Sequence, residues 1–237
     1  MVLETLLKGE SNMTATNFQA ARKNMVNQQI RCCKILDDTT LDLIKIMPRE
    51  AFVPEHVRSL AYMEGHVPLS CHQEMLSPLQ EAAILQCLNL NGRQRVLEIG
   101  TGTGFLTAML ALQSEQVISC ELHEELATQA TTNIADHGIS NATVIQLNGM
   151  DPDAVSACPE LQQPFDAIVI GAAIPEIPAH LEALLKHDAQ VIAFVGSSPA
   201  VSLVHKQKSG RNWEETSLFE TLLLDMEAIP ENREFVF

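Results

Sequence analysis

Residues 96–110 read VLEIGTGTGFLTAML. A hydrophobic run ends at Ile99, glycine alternates with threonine from Gly100 to Gly104, and an apolar helical pattern begins at Phe105. A strand that passes through glycines straight into a helix leaves backbone N–H groups free at the helix N-terminus, and the missing side chains let a ligand approach them. The stretch predicts a strand-turn-helix unit and a nucleotide-like cofactor. Around it, apolar strand-like runs alternate with helical patterns: RVLEI, FLTAMLALQ, QVISC, EELATQATTNIADHG, TVIQL, FDAIVI, IPAHLEALLK and QVIAFV. That alternation predicts an α/β fold with a parallel sheet covered by helices. The stretches AVSLVHKQKSG and ETSLFETLLLDMEAI add a terminal antiparallel hairpin turning around Ser209 and Gly210.

Upstream, ATNFQAARKNMVNQQIRCCKIL places Phe18, Ala21, Met25, Val26, Ile30 and Ile35 at mixed three- and four-residue spacing, the pattern of an amphipathic helix. DDTTLDLIKIM predicts a second, short helix ending near Met47, because Pro48 disfavours the helical conformation in the residue before it. Residues 1 to about 15 read as a loose extension.

Composition excludes several classes of function. Thirty acidic against fifteen basic residues give a formal charge of -15, which repels phosphate backbones and anionic membrane surfaces, so neither nucleic acid nor membrane is an expected partner. The six cysteines are scattered, without a C-x-x-C pair or zinc spacing, and read as reduced thiols with no metal site. MVLETLLKGESNM is acidic and its apolar part is too short for a signal peptide, and AIVIGAAI is too short to cross a bilayer; the expected location is cytoplasmic.

Two features favour S-adenosylmethionine over a dinucleotide. Glu98 precedes the first glycine, where it would repel a pyrophosphate but tolerate a cationic amino-acid moiety. The spacing is G-x-G-x-G, with Phe105 where the dinucleotide fingerprint has its third glycine. Glu98, Gly100, Thr101, Gly102 and Gly104 are thus candidate cofactor contacts, against the plainer reading that the glycines only make a tight turn. Glu121 ends the second strand about twenty residues on, where an acid can accept both ribose hydroxyls. In LNGMD, Asn148 can bond the adenine edge, Gly149 permits close approach and Met150 can pack on the ring; the plainer reading is an Asn-Gly turn. Asp166 heads the fourth strand, and ligands of such sheets sit at the opposite, carboxyl ends.

These residues resemble the protein-L-isoaspartate O-methyltransferase family, on MPREAFVPEHVRSLAYMEGHVPL, the Gln73 and Pro78 frame, RVLEIGTGTGFLTAMLA, Asn148-Gly149 and PFDAIVIGAAIPEIPAHL. The resemblance implies a Rossmann-like class I methyltransferase fold, with a mostly parallel seven-stranded sheet and helices on both faces. It also implies S-adenosylmethionine as methyl donor, S-adenosylhomocysteine as product, and repair of isoaspartyl proteins by carboxyl methylation. Glu98, Gly100, Thr101, Gly102, Glu121, Asn148 and Gly149 carry over as cofactor contacts. On this reading residues 1–78 form an extension and helical cap with a substrate loop, and 79–237 the cofactor-binding domain, together one compact unit. The cap helix can cover the cofactor, cover the core or mediate dimerisation, and the oligomeric state stays open.

The substrate loop, SCHQEMLSPLQ at 70–80, departs from the family pattern G-x-G-Q-T-I-S-x-P. Aligned on Gln73 and Pro78, the glycines become Ser70 and His72, the threonine Glu74 and the serine Leu76. A carboxylate nucleophile needs no general base, and an ionised Glu74 offers acceptors only and repels an incoming carboxylate. Glu74 can hold a proton, turn away, or serve with His72 as a general base toward a neutral nucleophile. Ser77 supplies a replacement hydroxyl or, with Gln80, a helix capping box. Other departures fall at Asp188-Ala189, where the family has a glycine pair, and at the family's C-terminal F-V-P-L segment, matched only by AIP at 228–230 or the final EFVF. Three functions remain: methyl transfer to a carboxyl group, on a protein, peptide or small molecule; methyl transfer to a neutral nucleophile; or non-catalytic binding of S-adenosylmethionine.

Overall fold

The structure, a computed structural model, describes residues 12–210 and 212–230. Most of the expected N-terminal extension and the final EFVF lie outside the described residues. Helix α1 (Asn12–Met25) passes through a π turn (Val26–Ile30) and a 3-10 turn (Arg31–Cys33) to α2 (Asp38–Ile46). A ribbon of β1 (Val67–Pro68) and β2 (Glu74–Met75) precedes α3 (Pro78–Leu88). Then β3 (Arg95–Ile99), α4 (Phe105–Ala111), β4 (Gln116–Glu121), α5 (Glu124–Asp136) and β5 (Ala142–Gln146) alternate. They are followed by α6 (Pro152–Ala157), β6 (Phe165–Ile174), α7 (Ala179–Glu182), β7 (Leu185–Ser197), β8 (Ala200–Ser209) and β9 (Asn212–Thr221).

The seven long strands form one sheet in the order β5-β4-β3-β6-β7-β8-β9. Strands β3 to β7 pair in parallel, and β8 and β9 add the antiparallel hairpin foreseen around Ser209 and Gly210. The chain winds outward from β3 to β5, then returns to lay β6 on the other side of β3. The connections therefore part at the carboxyl ends of β3 and β6, which opens a crevice there.

Successive residues of a strand face opposite sides of a sheet, and the core divides accordingly. Val96, Val117, Ala167 and Val169 join an apolar cluster with the cap and α3 to α4, whereas Leu97, Ile118, Ile168 and Ile170 join a second with Val155, Leu161 and Leu181 on the other face. All six apolar positions read for the N-terminal helix face the first cluster: Met25, Val26, Ile30 and Ile35 are buried in it, and Phe18 and Ala21 pack against it. The cap helix covers the core. Helix α2 is capped by Asp37, which accepts the Thr40 N–H at 2.7 Å, and it ends at an extended Met47 before Pro48, as the proline dictates.

The PREAFVP element wedges between cap and sheet. Arg49, Phe52 and Val53 are buried, and Phe52 meets Phe105 of α4 edge-to-face at 5.3 Å. One element differs from expectation. IPAHLEALLK is helical only at Ala179–Glu182; Leu184 accepts the Phe165 N–H at 2.9 Å and Leu185 already pairs with Phe165. Pairing with β6 captures the backbone and runs β7 to 13 residues, through Asp188 and Ala189. Among the described residues no helix is long and apolar enough to cross a membrane.

Candidate active site

A cleft of about 920 Å³, counted to its open mouth, occupies the crevice at the strand ends. Its floor is Glu98 to Thr103, and its sides come from Glu121 to His123, Leu147 to Met150, and Gly171 and Ala172. Gln73 to Leu76 form a third wall, and the C-terminal residues Leu223, Leu224, Met226 and Glu227 a fourth. Leu224 and Met226 are held there by backbone hydrogen bonds with Ala173, at 2.9 and 2.7 Å. Gln73 Nε2 donates to Glu227 Oε1 at 2.7 Å, which bridges the loop wall to the C-terminal wall across the mouth.

Glycine is required at particular places. Gly100 and Gly102 have φ of 93° and 56°, the left-handed region that favours a residue without Cβ. A Cβ on Gly149 would stand 2.5 Å from Ile99 Cδ1, so a larger residue would have to push the Ile99 side chain aside for this turn to close on the end of β3.

The wall is rich in carboxylates. Glu74, Glu81, Glu98, Glu121 and Glu227 line the cleft, and among the described residues no lysine or arginine does. Such a surface suits a ligand with a cationic centre and rejects a pyrophosphate. Glu98 is buried; burial pushes its carboxyl up to about 7, against the pull of hydrogen bonds that its Oε2 accepts from Ser119 Oγ at 2.6 Å and Thr107 Oγ1 at 2.5 Å. Glu121, also buried, accepts the Gly102 N–H at 2.9 Å and the His123 N–H at 3.0 Å, so it fastens the glycine turn to the end of β4. Asn148 Oδ1 accepts the Met150 N–H at 3.0 Å, and its Nδ2 donates to the Ala228 carbonyl at 2.9 Å. The Asn-Gly turn and the C-terminal wall are thereby joined.

The structure gathers Glu98, Gly100, Thr101, Gly102, Glu121, Asn148, Gly149, Met150 and Glu74 around one cavity. Three other candidates stand outside its wall. Gly104, with φ of 84°, caps α4, and a Cβ there would press on Ala130 of α5 at 3.1 Å; it is needed for helix packing. Ser77 is the N-cap of α3: it accepts the Gln80 N–H at 3.3 Å while Gln80 Oε1 accepts its own N–H at 2.8 Å. His72 is exposed at the tip of the turn joining β1 to β2, where Gln73 N–H bonds the Ser70 carbonyl at 3.1 Å. Cys71 and His72 have φ of 56° and 57°, as the tight hairpin demands, which explains the glycine that the family pattern carries at position 72.

Sequence reasoning missed Glu81 and Gly171 in the cleft lining, and it looks for the C-terminal contribution at AIP, 228–230, or the final EFVF, whereas Leu223 to Glu227 form the wall. Leu76 is missing a hydroxyl but gives its carbonyl to Arg49 Nη2 at 2.6 Å, which pins the loop to the cap. Among the described residues no group of three or more His, Cys, Asp or Glu side chains is arranged to hold a metal ion.

Comparison with known proteins identifies the family. The family model for protein-L-isoaspartate(D-aspartate) O-methyltransferase matches residues 20–222. Protein-L-isoaspartate O-methyltransferase 1 of Rhodopseudomonas palustris is 37% identical over 183 residues, covering 77% of this chain and 72% of the relative. The protein of the same name from Syntrophobacter fumaroxidans is 31% identical over 210 residues, 89% of this chain and 95% of its own. In structure, the chain is similar to a Plasmodium falciparum protein described as a putative protein-L-isoaspartate O-methyltransferase in complex with S-adenosyl-L-homocysteine. The TM-score is 0.72 at 22% identity, covering 88% of this chain and 97% of that one. On the family match and these relatives, the chain belongs to the protein-L-isoaspartate(D-aspartate) O-methyltransferase family.

Proposed function

We propose that this protein methylates the free carboxylate of isoaspartyl residues, using S-adenosylmethionine. The observation that carries the reading is the cleft at the β3 and β6 ends, walled by five carboxylates and, among the described residues, by no lysine or arginine, in a chain of this family. The cofactor supplies a methyl group on a cationic sulfur. Glu98 and the Gly100 to Gly102 backbone suit its charged amino-acid end, Glu121 its ribose hydroxyls, and Asn148, Gly149 and Met150 its adenine. The nucleophile is already ionised near neutral pH, so the protein needs to orient it and exclude water rather than remove a proton. Gln73 to Leu76 and Leu223 to Glu227 stand where that substrate would enter. The reading carries with it a protein or peptide partner, a part in protein repair and a cytoplasmic location. It also divides the chain at about residue 78 into cap and cofactor domain.

The reaction is tested by transfer of labelled methyl to an isoaspartyl peptide, with the normal aspartyl peptide as control. Isoaspartyl-specific transfer is the expected result. No transfer, with S-adenosylhomocysteine binding confirmed in the same sample, rules the reaction out.

A second expectation concerns pH. Burial favours the protonated form of Glu98, with its carboxyl near 7, whereas a cationic ligand favours the carboxylate. Binding near neutral pH should therefore release a proton from Glu98, and affinity for S-adenosylmethionine should fall as pH drops below about 7. Calorimetry in buffers of different ionisation enthalpy reads the released proton directly. Glu98→Gln should abolish that release; an unchanged release in the variant assigns it to another group.

A further inference from the structure

Glu74 sits on β2 in the cleft wall, where an uncompensated carboxylate would repel the carboxylate to be methylated. Beside it lies His66, outside the cleft lining and just before β1, with its Nδ1 3.4 Å from Glu74 Oε1. The other ring nitrogen, Nε2, is 2.9 Å from Gln80 Oε1. That atom is the amide oxygen, since it also accepts the Ser77 N–H at 2.8 Å and the amide nitrogen donates to Thr221 Oγ1 at 3.0 Å. An amide oxygen cannot donate, so His66 Nε2 carries a hydrogen. With Nε2 committed to Gln80, Nδ1 is the ring atom within ion-pair distance of the carboxylate, where a positive ring attracts Glu74 and offsets its charge.

We propose that His66 is a positioning residue for methyl transfer: Gln80 fixes its Nε2–H, and its Nδ1–H neutralises Glu74, so that the cleft accepts an isoaspartyl carboxylate despite the altered loop. The proposal rests on carboxyl methylation as the reaction. Glu74 and His66 flank the β1–β2 turn, and the pairing Pro68↔Glu74 brings them side by side. The other ionisable groups of the cleft are Glu81, which pairs with Arg49, and Glu98, Cys120, Glu121, His123 and Glu227. Among the described residues His66 is the basic side chain within 4 Å of Glu74.

Steady-state kinetics on an isoaspartyl peptide at saturating cofactor test the consequence. His66→Gln keeps a donor for Gln80 but strands the Glu74 charge. It should raise KM about tenfold, the factor of one pK unit of interaction, with kcat changed by less than about twofold. Glu74→Gln alone should leave KM within about twofold of wild type, since the pair is neutral with or without the carboxylate, and the double variant His66→Gln/Glu74→Gln should recover the wild-type KM. A merely structural His66 would give a double variant no better than the single one. Loss of transfer in Glu74→Gln would mark Glu74 as a base for a neutral nucleophile and overturn the proposal. A second measurement needs no substrate: nitrogen NMR of the His66 ring at neutral pH, assigned with His66→Gln. Both ring nitrogens should be protonated in the wild type, with Nδ1 bare in Glu74→Gln. A bare Nδ1 in the wild type overturns the pairing whatever the activity. A doubly protonated ring in an enzyme that transfers nothing to isoaspartyl peptide overturns the reaction and supports the pairing.

Discussion

Replacing Arg49 with alanine is expected to lower the free energy of unfolding by about 3–5 kcal/mol, the range for removing one partner of a buried ion pair. Arg49 is 2% exposed and every part of its guanidinium is used. Its Nε donates to the Ala61 carbonyl at 2.8 Å, Nη2 donates to the Leu76 carbonyl, Nη1 pairs with Glu81, and the group lies 5.1 Å from the Phe105 ring centre. Truncation would leave two buried carbonyls without that donor and a carboxylate without its cation. Burial pushes the Glu81 carboxyl up, and Arg49 is what pulls it back. Without Arg49 the acid must take up a proton to stay buried. A carboxyl raised in the folded state stabilises below its unfolded pKa, and that contribution is lost as pH rises through the folded value. The deficit of Arg49→Ala relative to the wild type should therefore widen as pH rises above about 7, where burial and the opposing pull of Arg49 together leave the Glu81 carboxyl in the wild type. Urea unfolding on either side of that pH measures both effects. Arg49→Lys keeps the charge without the planar fork and should fall between wild type and alanine. A loss below about 1 kcal/mol for alanine would place the pair with exposed salt bridges and contradict the account.

Much of the fold is legible because its determinants are local. RVLEI, QVISC and the helix after the glycine turn each carry their own periodicity and stops, and they appear at the expected places. Where IPAHLEALLK reads as one helix, the deciding interaction lies in another strand: Phe165 pairs with Leu185, twenty residues away, and no periodicity reports it. The β1–β2 ribbon is hidden for the same reason, with two residues on each side.

The site divides along the same line. A glycine turn and an acid at the next strand end are legible because position along the chain nearly fixes position in space. His72 and Ser77 were candidates by side-chain chemistry, but one occupies a hairpin tip and the other a helix cap. Gly104 was grouped with the cofactor glycines because sequence does not distinguish close approach by a ligand from close approach by Ala130. Pairs made in three dimensions, such as Arg49 with Glu81 and His66 with Glu74, leave no spacing to read. Nor does a C-terminal segment that returns from β9 to wall the cleft at Met226 and Glu227.

Glu121→Ala is expected to weaken binding of S-adenosylhomocysteine about 100-fold, or ~2.7 kcal/mol, within the range for losing hydrogen bonds to a desolvated charge. Glu121 is 4% exposed, and both of its oxygens already hold backbone N–H groups, one from Gly102 and one from His123. A carboxylate can accept about four hydrogen bonds, so capacity remains for two ribose hydroxyls on the cleft side. The substitution therefore removes the ligand contact and the clamp on the glycine turn together. Glu121→Gln separates them in part. It keeps the length and one oxygen acceptor, but its amide nitrogen would face an N–H donor; about a tenfold loss is expected, the factor for one neutral bond lost. Adenosine supplies the control, since it shares the ribose and lacks the amino-acid end proposed to face Glu98. It should lose affinity by the same factor as S-adenosylhomocysteine in Glu121→Ala and be unaffected by Glu98→Gln. If Glu121→Ala bound both ligands within about threefold of wild type, under 1 kcal/mol, Glu121 would hold only the turn, and the ribose would lie elsewhere in the cleft.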